Sequence, residues 1–272
     1  MIADAVMDTL TLKDSEFRLF QKMIYETAGI NMSDAKKALV SGRLSKRVKH
    51  YELCSFGDYF KLLSNGNNGE LQTAVDLLTT NETFFFREAK HFDFLRERIL
   101  PHWHSGTRRV WSAASSSGEE AYTLAMVLAE HAHVADWEIV GTDISTRVLE
   151  KARSGHYPLE RTKNIPETYL KKYCLKGTGS QDGTFLVGKQ LRARVSFLHA
   201  NLKEDLNHLG SFDLILLRNV LIYFDIETKQ HVLSQVLRRL KPGGYLMVGH
   251  SESLNGVTNA VNVMVPSVYR KA

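Results

Sequence analysis

Cysteine is scarce in this chain of 272 residues: Cys54 and Cys174 are the only two. Their separation fits neither a zinc motif nor a disulfide framework. Long apolar runs are missing too, since no segment reaches the roughly 18–20 uninterrupted apolar residues of a membrane span. The first residues carry Asp4 and Asp8 but no early Lys or Arg. No secretory signal peptide is therefore expected, and the cytoplasm is the expected location. Nor is there a strong charge imbalance. The formal net charge is +5, enough to favour an anionic partner but too small to identify a nucleic acid. The length suits one large or two small domains, and the composition is that of an ordinary globular protein.

The stretch that organises the chain is Arg109–Asp143, RVWSAASSSGEEAYTLAMVLAEHAHVADWEIVGTD. Val110–Ala113 reads as a short buried parallel strand. Ala114–Gly118 is a small-residue loop. A helix opens at Glu119, with Tyr122, Leu124, Ala125, Met126, Leu128 and Ala129 on its apolar face. Trp137–Gly141 is a second strand, with Asp143 just past its end. This is half of a nucleotide-binding crossover, in which an acid about 20 residues after the loop takes the ribose hydroxyls. What the helix lacks is a free positive end for phosphate, because Glu119 and Glu120 occupy it. Acids there also suit the helix dipole. They repel a pyrophosphate, however, and attract a cation. A nucleoside with a charged amine and no phosphate fits better, and S-adenosylmethionine is the common one.

Residues 12–80 read as all-helical, with Asp14 or Ser15 as a cap, Gly29 as a stop and Ser33 or Asp34 as the next start. From Ala35 to His50 the charges are Lys36, Lys37, Arg43, Lys46, Arg47 and Lys49, with no acid among them. Val40, Leu44, Val48 and Tyr51 recur at helical spacing, and Arg43, Lys46, Arg47 and His50 share another face. That face is either solvated or meets an acidic partner. Further helices are expected over Phe56–Leu63 and Glu70–Leu78.

Thr79–Glu88, TTNETFFFRE, follows. Thr80 or Asn81 is expected to cap a helix, and three consecutive phenylalanines must bury on more than one side. Arg87 is either a surface ion-pair partner or a pocket cation for a carboxylate. A helix over His91–Leu100 comes next. After Asp143 and a helix over Ile144–Gly155, the next strand, Val195–Leu198, is about 40 residues late. The intervening Tyr157–Arg194 is too long for a plain connection and reads as an inserted antiparallel hairpin or three-strand unit. Phe212–Leu217, Tyr245–Gly249 and Val263–Arg270 supply the remaining strands, with a helix over Ile226–Leu240. A helix, then Lys241-Pro242-Gly243-Gly244, then a strand is the layout of the methyltransferase form of the doubly wound sheet.

TNETFFFRE (Thr80–Glu88), WSAASSSGEEAYTLAM (Trp111–Met126), GTDIS (Gly141–Ser145), NL (Asn201–Leu202), RNVLIYFD (Arg218–Asp225) and LKPGGYLMVGHSE (Leu240–Glu252) occur in this order. By these motifs the chain resembles the CheR chemotaxis receptor methyltransferase family. The resemblance implies an α/β fold: a doubly wound class I methyltransferase sheet with an inserted small antiparallel β-subdomain at about 157–194, in a domain over 81–272. An all-helical, substrate-recognising domain over 1–80 precedes it. The implied activity moves a methyl group from S-adenosylmethionine to glutamate side chains of chemoreceptor cytoplasmic helices, leaving S-adenosylhomocysteine. By motif match, Asn81, Thr83, Arg87, Glu119, Asp143, Asn201, Leu202, Arg218 and Asn219 would line the cofactor site, with Arg87 and Tyr223 nearest the transferred methyl. Arg43, Lys46 and Arg47 are the candidate receptor contacts. LKGTGSQDG within the insertion resembles members that dock on a receptor's C-terminal peptide. Ser115 and Ala121 depart from the cysteine and proline frequent at those positions. A monomer is expected, with no metal, no nucleic acid and no membrane insertion.

Two other readings compete. A nucleic-acid methyltransferase needs stacking aromatics or a catalytic Cys or Asn-Pro-Pro-Tyr motif, and no such motif occurs. A non-catalytic adaptor of the same fold would be expected to lose Asp143, Arg87 or Tyr223, and all three are present.

Overall fold

A computed structural model describes residues 10–66, 68–133 and 136–272. The chain divides into two compact units, Met1–Thr80 and Asn81–Ala272. No helix among the described residues is long and apolar enough to cross a membrane.

The first unit holds helices α1 (Asp14–Ala28), α2 (Lys37–His50), α3 (Phe56–Ser64) and α4 (Asn68–Leu78). Its core follows the 3.6-residue period: Phe17, Phe20 and Ile24 of α1, Val40, Leu44 and Val48 of α2, and Phe56, Tyr59 and Leu63 of α3 are all buried. Gly29 ends α1 with φ 73°, the left-handed cap that glycine adopts at little cost. Lys13, rather than Asp14 or Ser15, stands at the cap position of α1. Buried Glu16 ties two helix starts together, accepting from Lys13 N at 2.8 Å and Gly57 N at 2.7 Å.

The second unit is built on a seven-stranded sheet. In chain order the strands of this unit are β1 (Arg108–Ala113), β2 (Trp137–Asp143), β3 (His156–Pro158), β4 (Cys174–Lys176), β5 (Thr184–Val187), β6 (Val195–His199), β7 (Phe212–Leu217), β8 (Leu240–Val248), β9 (Val261–Val265) and β10 (Val268–Lys271). The large sheet runs β6-β2-β1-β7-β8-β10-β9, and β3-β5-β4 form a separate antiparallel sheet. The insertion is thus a three-strand unit. β10 is antiparallel to both neighbours, and the other pairings of the large sheet are parallel. Helices α5 (Lys90–Phe94), α6 (Glu119–His131), α7 (Thr146–Ser154), α8 (Glu167–Tyr173), α9 (Lys189–Arg192) and α10 (Ile226–Arg239) accompany the strands. β7 is buried along its whole length, as a parallel strand covered on both faces must be.

Three expectations are corrected. Thr80 and Asn81 cap no helix: 85–89 is a turn, with Phe86 at φ 55° and Glu88 at φ 58°. Phe85 is fully buried against Tyr157 and Phe185, at ring distances of 5.1 and 5.7 Å, while Phe84 stays 40 % exposed. That anchoring, and the pull of Glu88 into a polar network, override the local helical signal. The segment after it is α5 followed by a π turn over Leu95–Ile99 and a 3-10 turn over Leu100–His102. The closing strand is a hairpin, because Pro266 supplies no backbone donor and Ser267 turns the chain at φ 67°.

Candidate active site

β2 and β7 flank β1, so the strand order reverses there. Ligands of open α/β sheets bind beyond the carboxyl ends of the strands at such a point. The loop leaving β1 is left-handed at Ala114, Ser116 and Gly118, with φ of 59°, 49° and 93°. A Cβ on Gly118 would lie 2.9 Å from that of Ala152, so only glycine lets the loop lie this close to α7.

Two buried acids face this loop. Asp143 ends β2; its Oδ2 accepts from Ser116 N and its Oδ1 from Ser145 N, both at 2.9 Å. Glu119 opens α6 and is 1 % exposed. Its Oε2 accepts from Ser117 Oγ at 2.7 Å, and its Oε1 lies 3.6 Å from Arg161 Nη1. Burial pushes the Glu119 carboxyl up, while the Ser117 hydrogen bond and the charges of Arg161 and Lys151 pull the other way. Arg161 Nη1 also donates to Thr83 O at 2.8 Å, and Ser116 Oγ donates to Asn81 O at 3.0 Å. Asn81, Glu119 and Asp143 are therefore brought to one loop, and Thr83 is linked to Glu119 through Arg161. The donor set suits S-adenosylmethionine: one acid for ribose hydroxyls, another for an ammonium, and a backbone cradle with no free cationic helix end for phosphate.

Arg218 organises the other side. Its side chain is 1 % exposed. Nη1 donates to Glu120 Oε2 at 2.8 Å, Nη2 to Glu88 Oε2 at 2.9 Å and to the Arg87 carbonyl. Phe92 covers the guanidinium at 5.6 Å. Asn219, left-handed at φ 58°, donates Nδ2 to Glu88 Oε1 at 3.1 Å. Burial alone would raise the Glu88 carboxyl, but hydrogen bonds from Asn219 and Arg218 outweigh it and hold the group down at about 2. Burial pushes Glu120 up, against the pull of Arg218. Glu88, His91 and His250 place three metal-type ligand atoms within 4.8 Å of one another. The Glu88 oxygen nearest them already sits 2.9 Å from Arg218, so the cation of this cluster is a guanidinium.

Glu252 fixes the loop after β7. Its Oε2 accepts from Gly249 N at 2.6 Å and Asn219 N at 2.7 Å, and its Oε1 from Ile222 N at 3.2 Å. That holds the 3-10 turn Leu221–Tyr223, from which Tyr223 projects, half-buried. Asn201 and Leu202, each 8 % exposed, follow β6. Asn201 Oδ1 accepts from Lys203 N and its Nδ2 donates to Glu204, both at 3.1 Å. Arg87 is half-buried, donates Nη1 to Glu82 O at 2.7 Å and lies over Phe84 at 5.6 Å. Sequence reasoning assigned no role to Glu88, Arg161 or Glu252, and read Glu120 as a cation-attracting acid at the helix start, where the cation it meets is Arg218. Glu88 and Glu252 stand inside quoted motifs, and that was their only signal.

In the helical unit the basic helix differs from its sequence reading. Arg47 makes a two-pronged pair with Glu70 of α4, Nε to Oε1 at 2.8 Å and Nη2 to Oε2 at 2.6 Å. Tyr59 and Tyr51 hydroxyls donate to the same carboxylate, at 2.6 and 3.0 Å. Burial would raise the 4 % exposed Glu70 carboxyl, but these bonds, Arg47 foremost, bring it below its ordinary value. Arg43 donates to the Leu78 and Thr79 carbonyls at 3.1 and 2.9 Å, closing the end of α4. α2 has no acid of its own, yet its charge is partly balanced by an acid 23 residues away from Arg47. Lys46, Lys49 and His50 remain exposed.

A cleft of about 670 Å³ opens at the opposite, amino end of the strands, lined by Trp103, Arg108, Lys241 and Tyr245 among others. Its acid, Asp213, is already neutralised by Arg108 at 2.9 Å and Lys241 at 2.7 Å.

Comparison with known proteins agrees with this geometry. Residues 81–269 match the family model described as "CheR methyltransferase, SAM binding domain", and residues 15–79 match "CheR methyltransferase, all-alpha domain". The "Chemotaxis protein methyltransferase" of Escherichia coli (strain K12) is 42% identical over 266 residues, covering 96% of this chain and 92% of that protein. That of Borreliella burgdorferi is 40% identical over 272 aligned residues, covering 95% of this chain and 94% of that protein. Matched by both models along nearly all of its length, the chain belongs to the CheR methyltransferase family, whose work is S-adenosylmethionine-dependent methylation in chemotaxis.

Proposed function

We propose that the methyl acceptor is a glutamate carboxylate on the cytoplasmic helices of a chemoreceptor, and that the product is a glutamate methyl ester. The observation that carries this is Arg87, a half-buried cation in the segment whose Asn81 carbonyl meets the cofactor loop and whose Thr83 carbonyl meets Arg161. The cofactor supplies an activated methyl on a sulfonium. A carboxylate is already ionised at neutral pH, so the chain needs no general base. Its task is to hold the acceptor oxygen in line, and positioning of this kind is worth up to about 7–11 kcal/mol. Arg87 suits the planar carboxylate, and the Tyr223 ring and hydroxyl suit a neighbouring cation.

The test uses labelled methyl donor, receptor cytoplasmic fragments with and without their C-terminal tails, and RNA as a control. Base-labile label on the receptor is expected, and label that survives base or sits on RNA would sink the proposal. Faster labelling of tailed fragments would assign peptide docking to the three-stranded insertion, whose outer strand β4 exposes Leu175. Tyr223→Phe and Arg87→Ala should each lower kcat by on the order of tenfold or more while the variants stay folded. Wild-type turnover in both at saturating substrate would misplace the transfer centre.

Receptor contact by the basic helix is proposed through Lys46, with the exposed Lys49 beside it; Arg43 and Arg47 act through the bonds that hold the helix in place. Reversing Lys46 and Lys49 to Glu should raise the receptor KM at low salt and leave cofactor affinity unchanged, because exposed charges steer encounter and are screened within about 8–10 Å. Unchanged receptor kinetics at low salt would make this a solvated face.

A further inference from the structure

Two side chains of the three-stranded insertion, Arg161 and Tyr157, reach the residues around the cofactor loop, and the resemblance assigned neither a role. Arg161 lies in the 3-10 turn Leu159–Asn164, between β3 and α8. Its Nη1 donates to Thr83 O at 2.8 Å and lies 3.6 Å from Glu119 Oε1. Glu119 is almost completely enclosed, whereas the Arg161 side chain is 44% exposed. The acid is therefore the fixed wall and the guanidinium the adjustable one. Tyr157 holds the insertion to the same loop, donating its hydroxyl to Ser117 O at 2.7 Å.

The amino-acid end of S-adenosylmethionine is a zwitterion, an ammonium beside a carboxylate. A pocket complementary to it needs an acid beside a cation, in the reverse order. Glu119 and Arg161 are such a pair, and a fork of guanidinium donors suits a carboxylate. We infer that Arg161 binds the cofactor's carboxylate while Glu119 takes its ammonium, the two replacing their mutual contact when the cofactor enters. The inference rests on the cofactor reading above and adds a residue to that site. It also gives the insertion a role in cofactor binding as well as any role in docking.

Three ligands separate this from a structural role. S-adenosylhomocysteine carries both charges. Decarboxylated S-adenosylhomocysteine keeps the ammonium alone. Methylthioadenosine has neither. Arg161→Gln in the full chain should weaken S-adenosylhomocysteine by roughly 10- to 100-fold, the range of one charge-assisted contact. Affinity for the other two ligands should stay within about twofold, and Arg161→Lys should recover part of the loss. Equal weakening of all three ligands would make Arg161 a structural strut and overturn the inference. Unchanged S-adenosylhomocysteine affinity would overturn it too. Failure of the wild-type chain to bind S-adenosylhomocysteine at all would remove the cofactor reading itself, a separate result.

Discussion

Arg218→Met should cost the sheet domain about 3–5 kcal/mol, the usual loss when one partner of a buried ion pair is removed. Methionine fills much of the volume but leaves Glu120 and Glu88 facing each other without the guanidinium that joins them. It also leaves the Arg87 carbonyl without that donor. Arg218→Lys should recover only part of the loss, since one ammonium cannot reproduce a planar fork spread over Nη1 and Nη2. Urea unfolding of both variants checks this, and a loss below about 1 kcal/mol for methionine would contradict it. The acid response is a second readout. Glu88 is held down at about 2 in the folded protein, largely through Asn219 and Arg218. A depressed carboxyl contributes fully above its unfolded value of about 4.3 and less as the pH falls toward the folded value. Wild-type stability should therefore decline between those limits, and Arg218→Met should decline less steeply there.

Asp143→Ala should weaken S-adenosylhomocysteine by roughly 10- to 100-fold, because ribose hydroxyls lose a charged acceptor worth roughly 1.5–3 kcal/mol. The loop loses its anchor as well, since Ser116 N and Ser145 N each donate to one carboxylate oxygen. That arrangement makes Asp143→Asn nearly as harmful. One oxygen becomes an amide nitrogen, so a donor faces a backbone donor whichever way the amide turns. Calorimetry on folded variants decides the matter, and undiminished affinity in either would take Asp143 out of the site.

How much of this was legible beforehand depended on sequence distance. The placement of Asp143 and Glu119 beside the loop after β1 could be read because a β-α-β crossover fixes the spacing of loop, helix and acid within a few turns of chain. The three-strand insertion could be read from glycine punctuation. The TNETFFFRE segment could not, because its conformation is set by Phe85 packing on Tyr157 and Phe185 and by Glu88 meeting residues 130 and 131 positions away. The internal partner of Arg47 on the basic helix is hidden for the same reason: its acid, Glu70, lies on another helix. Pro266 marks the turn between β9 and β10, which the apolar pattern on either side of it conceals. Local pattern predicts what a segment can bury, whereas partner choice between distant polar groups is decided by the assembled fold.

The ionic lattice around Arg218 also bears on folding speed. Its bonds close very long stretches of chain: 98 residues between Glu120 and Arg218, 130 between Glu88 and Arg218, and 162 between Glu88 and His250. Contacts so far apart bring loop-closure entropy before any reward, and a domain dominated by them folds slowly. Until residue 218 arrives in place, the two acids gain more from water than from each other. The wall built on Arg218 is consequently expected to form late in folding, and on refolding S-adenosylhomocysteine binding should recover more slowly than helical signal.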